Sequence, residues 1–132
     1  MRKLWGGAFA EDSDGLVNRF GQSIHTDLNF WQEDLIGSVA HARMLGAKGI
    51  ISAEESETLI RGLESIHEDG PESLPMDVED IHTAIEVRLG EKVGEVAGKL
   101  HPARSRNDQV ATDTRLYLHN QLIELFDLIK KL

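Results

Sequence analysis

In a chain of formal net charge −9, the stretch KLHPARSRNDQVATD, Lys99 to Asp113, gathers two arginines with Ser, Asn and Asp just ahead of a long helical pattern. If that helix starts near Ser105 or Asn107, its first amides and the positive end of its dipole favour an anion. Arg104 and Arg106 add full charges, and a guanidinium grips a carboxylate through two parallel hydrogen bonds. Ser105 and Asn107 add neutral donors. The chemistry on offer is binding of a carboxylate or phosphate. The ordinary alternative is capping, because Ser, Asn and Asp are common at helix starts. Spacing alone leans toward capping.

A second candidate is DVEDIHTAIE. On a helix His82 and Glu86 share a face, so the carboxylate would raise the imidazole pKa and fix its tautomer. Taken alone, a surface His–Glu pair explains the spacing. Asp34, Ser38 and His41 also fall at helical spacing, as a solvated face or a hydrogen-bonded helix contact. Ser23 sits in a break, where it can donate to an anion or simply close a turn. The six histidines form no His-x-x-x-His pair and cysteine is absent, so no metal site is expected. No phosphate loop and no nucleophile elbow are present.

These residues need helices to position them. A short helix is expected at Leu16–Phe20, and GQSIHTD breaks it, with Asp27 as a cap. From Leu28 to Leu45 the apolar residues Trp31, Leu35, Val39, Ala42 and Leu45 recur at helical spacing, with Ile36 and Met44 beside them. Ser52 and Glu55 make a capping box ahead of the stripe Leu59, Ile60, Leu63 and Ile66, which Gly70-Pro71 ends. A further helix is predicted from about Asp80 to Leu89, followed by irregular, glycine-punctuated chain. Ser105 to Leu132 reads as the strongest helix. It is too apolar for a helix with one face in water, so it calls for cover on several sides, and it stops without a cap. Residues 1–15 read as an irregular arm, with Trp5 and Phe9 as contacts. No strand is expected, and the fold class is all-α.

The negative charge argues against nucleic acid and against an anionic membrane as partners. No stretch suits a membrane span or a secretory signal, so a soluble, cytoplasmic protein is expected.

The motifs LWGGAF, SIHTD, IGSVAHARMLG, EDIHTAIE and GKLHPARSRNDQVATD occur in this order from Leu4 onward. Together they resemble the N-terminal part of argininosuccinate lyase, and of the delta-crystallins derived from it, in the fumarase/aspartase superfamily. The resemblance implies an all-α chain with a helical lyase domain at 1–104, including the arm, and the start of a central-bundle helix at 105–132. It implies elimination of arginine from argininosuccinate to give fumarate, a step of arginine biosynthesis, without a cofactor and in a homotetramer. It makes Ser23, Ser105, Arg106 and Asn107 substrate-binding residues and gives His82 a supporting catalytic role. Asp34, Ser38 and His41 become scaffold. The threonine–histidine segment and serine-rich loop that supply proton transfer in the family lie further downstream, so this chain is expected to be inactive alone. Ala8 stands where the family commonly has arginine, and Pro102 where it has threonine. Pro102 fixes its own φ and restricts His101. The alternatives are a crystallin-like structural role, a non-catalytic helical interaction module, or another lyase of the superfamily.

Overall fold

The computed structural model describes residues 15–132, and every regular element among them is helical. The arm at 1–14, with Trp5, Ala8 and Phe9, lies outside the described residues. Helix α1 spans Gly15–Gly21 and has no buried residue. The expected break holds only at Gln22 and Ser23, since α2 follows at Ile24–Asp27 and burial of Ile24 pins that turn to the core. Asp27 does not cap. Its backbone is helical (φ −66°, ψ −24°), whereas a capping residue needs extended φ/ψ. Its carboxylate accepts from the Ser23 hydroxyl instead.

The next helix opens as a 3₁₀ turn over Leu28–Phe30 and continues as α3, Trp31–Ala47. Helix α4, Ala53–Asp69, starts on the expected box: Glu55 N–H donates to Ser52 Oγ at 3.1 Å and Ser52 N–H to Glu55 Oε2 at 2.9 Å. Gly70 ends it at φ 83°. Helix α5 spans Ile81–Val93, four residues beyond the predicted Leu89, and the glycine-rich stretch that follows is a 3₁₀ helix over Gly94–Leu100. Helix α6 spans Arg106–Lys130, with Ser105 as its cap.

Helix α3 packs against α4, α4 against α5, and α6 lies along α3. The core comes from Leu35, Ala42 and Leu45 of α3, Leu59, Leu63 and Ile66 of α4, and Ile81, Ile85 and Leu89 of α5. Gly46 brings α3 close to α4, where an added Cβ would stand 2.7 Å from Ser56 Cβ. The buried residues of α6 are both polar, Gln109 and Asp113. Helix α6 is therefore fastened to the body by polar contacts, and these form the candidate site. No helix among the described residues is long and apolar enough to cross a membrane.

Candidate active site

Two helix starts meet here, and each is closed by its own side chain. Asp80 accepts from Thr83 N–H at 2.7 Å at the head of α5. Ser105 accepts from Asn107 N–H at 3.2 Å at the head of α6. Arg106 ties the two together: its Nε stands 3.0 Å from Asp80 Oδ2, and its Nη2 donates to Thr83 Oγ1 at 2.9 Å. Its Nη1 reaches Gln109 Oε1 at 3.4 Å. Ser23 joins the same neighbourhood, since its N–H donates to Glu79 C=O at 2.9 Å, next to the α5 cap.

The five residues singled out from the sequence therefore divide. Ser23, Ser105 and Asn107 are exposed, and the Ser105 and Asn107 side chains stand at the first turn of α6. The Arg106 guanidinium is largely occupied within the chain, so its charge acts near the α6 start while its fork is held by Asp80 and Thr83. His82 is buried, on the inner side of the same junction.

The partner of His82 is not Glu86. Helical geometry turns Glu86 by about 40° relative to His82, and Glu86 pairs with His101 at 3.1 Å. His82 Nδ1 lies 2.8 Å from Asp34 Oδ1 and 3.6 Å from Asp113 Oδ2. Gln109 Nε2 donates to Asp34 Oδ1 at 3.2 Å. Arg104 Nη2 donates to Ser38 Oγ at 2.9 Å and stands 3.6 Å from Asp34 Oδ1. Asp34, Ser38, His82, Gln109 and Asp113 are all buried. The stripe on α3 is thus a hydrogen-bonded helix contact, one of the two readings its spacing allowed. His41 stands at its edge, with Nε2 3.0 Å from Pro102 C=O.

Electrostatics sort the two buried acids. Burial pushes the Asp34 carboxyl up, but the His82 hydrogen bond and charge, with Arg104 and Gln109, hold it below the usual range. Burial and the negative charge of Asp34 push Asp113 up to about 7. Burial also lowers the Arg104 pKa, against the pull of Asp34 and Asp113. The donor atoms of Asp34, His82 and Asp113 lie within 4.8 Å of one another, a spacing a cation could use. Arg104 already supplies the positive charge there, so the group reads as a hydrogen-bonded anchor. A pocket of about 150 Å³ opens beside it, lined by His41, Arg104, Asp108 and Thr112 among others.

Asp113 and Gln109 carried no assigned role in the sequence. The available signal was their four-residue spacing as polar positions at the head of an otherwise apolar helix. Asp34 was visible as a polar position but not as the partner of His82.

A family model described as Lyase matches residues 7–132. Argininosuccinate lyase of Alkaliphilus metalliredigens is 47% identical over 133 residues, covering 98% of this chain and 29% of the relative. Argininosuccinate lyase of Leuconostoc mesenteroides is 50% identical, with the same two shares. That of Anoxybacillus flavithermus is 47% identical over 100% of this chain and 30% of its own length. The chain spans about three tenths of the length of the curated relatives it matches.

Proposed function

The chain belongs to the lyase family, and on that premise we propose that it carries part of the substrate-carboxylate pocket of an argininosuccinate lyase. The observation that carries the reading is near-half identity, over nearly all of this chain, to proteins of that name. In the proposed reaction a base removes a proton from the carbon beside a carboxylate of argininosuccinate. Charge gathers on that carboxylate. The carbon–nitrogen bond then breaks, its electrons leave with the guanidino nitrogen, and a carbon–carbon double bond forms. The nitrogen gains a proton, so the products are arginine and fumarate.

The residues take roles their positions allow. The Ser105 hydroxyl and the Asn107 side-chain amide at the start of α6 donate to a substrate carboxylate, which a preorganised set stabilises most as charge develops. Ser23 donates from the neighbouring turn when its hydroxyl turns from Asp27 to the substrate. Arg106 contributes charge from its mooring on Asp80. His82 supports the site from within. The rest of the proposal follows the family resemblance: no cofactor, a cytoplasmic homotetramer, a helical lyase domain to residue 104, and a central-bundle helix from 105. The proton-transfer groups come from segments outside this chain, so the chain alone releases no fumarate.

The test is a chimera in which these 132 residues replace the matching segment of the Alkaliphilus relative. The expected result is fumarate formation from argininosuccinate, followed by its ultraviolet absorbance. Asn107→Ala should lower kcat by about 10²–10³-fold, the cost of one preorganised donor. A chimera that assembles like its parent and makes no fumarate overturns the reading.

A further inference from the structure

His82 meets three residues of two other helices on one side of its ring. Asp34 of α3 stands 2.8 Å from Nδ1, Asp113 of α6 stands 3.6 Å away, and Gln109 of α6 has its Nε2 at 3.4 Å. The Gln109 amide nitrogen is a donor and already serves Asp34. An ionised Asp34 only accepts, and at 2.8 Å it is the short contact, so a hydrogen on Nδ1 has a close partner, whereas a lone pair there would face that carboxylate with only the 3.4 Å Gln109 amide as a donor. The other nitrogen, Nε2, is buried and has no hydrogen-bond partner among the described residues. Either state of Nε2 is unpaired there, since a bare nitrogen lacks a donor just as a proton would lack an acceptor, so the choice of tautomer falls to the Nδ1 side. Asp34 is itself fixed, by Gln109 and by the Arg104 guanidinium that Ser38 orients.

We infer that Asp34 is the positioning residue for His82: it fixes the Nδ1–H tautomer and so turns Nε2 into a buried hydrogen-bond acceptor. The link to a substrate rests on the lyase reading, whereas the tautomer does not. A bare ring nitrogen repels a carboxylate and attracts an N–H. On the lyase reading, the donors at the α6 start serve the carboxylates of a substrate, and the buried acceptor at Nε2 is left for an N–H from a group beyond the described residues.

The test is nitrogen NMR of the histidine rings in the full chain near pH 7.5. The expected spectrum has His82 Nδ1 as the protonated, pyrrole-type nitrogen and Nε2 as the unprotonated, pyridine-type one. In Asp34→Ala that split collapses toward a mixture of tautomers. Asp34→Asn restores it, because the amide oxygen still accepts from Nδ1–H. A wild-type His82 protonated on Nε2, alone or on both nitrogens, overturns the inference even if the alanine variant does not fold. So does an unchanged split in Asp34→Ala. An inactive chimera would sink the lyase reading and leave this result standing.

Discussion

Asp113 places a carboxyl group where a second negative charge is unwelcome, and the consequence is measurable. Its pKa in the fold is about 7, against an ordinary 3.8. The folded state therefore holds this proton more tightly than the unfolded chain. That stabilisation is complete below about pH 3.8 and is lost as pH rises toward 7. Asp34 acts in the opposite sense, since its lowered pKa stabilises above the ordinary range and fades on acidification. Asp113→Asn keeps the neutral form at every pH. In urea titrations between about pH 4 and pH 8, the variant should gain on the wild type steadily to about pH 7 and then run parallel. A stability difference that does not change with pH would contradict the buried-acid picture. The sequence made His82 visible by type, but local spacing offered Glu86 as its partner. The true partner is 48 positions away on α3, and only packing of α3, α5 and α6 brings it there.

At the level of elements, what could be read in the sequence followed how local the signal was. Helix α4 begins and ends where Ser52, Glu55 and Gly70 put it, because a capping box and a positive φ are decided within a few residues. Helix α5 outran its predicted end because Leu89 and Val93 close over Gly62 of α4, which offsets the poor helix propensity of Gly90. That contact is tertiary and left no mark in the local pattern. The α3–α4 contact at Gly46 can be tested directly. Alanine there gains up to about 1 kcal/mol of helix propensity, but its methyl group meets Ser56 Cβ at 2.7 Å, and overpacking costs about 1–3 kcal/mol. Gly46→Ala should therefore lower stability in denaturant titrations, and adding Ser56→Gly should recover part of the loss. A stabilised single variant would mean that α3 and α4 separate freely. The loop into α6 carries strain of another kind. Ala103 sits at φ 59° directly after Pro102, where an L-residue loses about 1–2 kcal/mol and glycine offsets part of its gain by about 0.5–1 kcal/mol of chain entropy. Ala103→Gly should raise Tm by a few degrees. A lower Tm would show that the left-handed turn is not strained.

On the scale of the whole molecule, α6 is the element the body does not cover. Its innermost turns are held by Gln109 and Asp113, and Asn120 donates to Glu33 at 3.0 Å further along. Beyond that point no side-chain hydrogen bond among the described residues joins α6 to another helix. Leu122, Ile123, Leu125, Phe126, Leu128 and Ile129 are each half exposed or more, with Phe126 at 61%. Covering one such side chain is worth about 1.5–3 kcal/mol, so a run of six makes a surface that seeks a partner. The formal charge of −9 opposes contact between two copies, and salt screens that repulsion within about 10 Å at 0.1 M. The isolated chain should accordingly self-associate through α6, more strongly as salt and concentration rise. Light scattering should give masses above 14.7 kDa that climb with both. Leu122→Glu with Phe126→Lys puts charges on the exposed stripe without touching the Gln109 and Asp113 anchor, and it should return the mass to that of one chain. A monomer at every salt concentration would mean that the apolar surface of α6 is too dispersed to pair with a copy of itself.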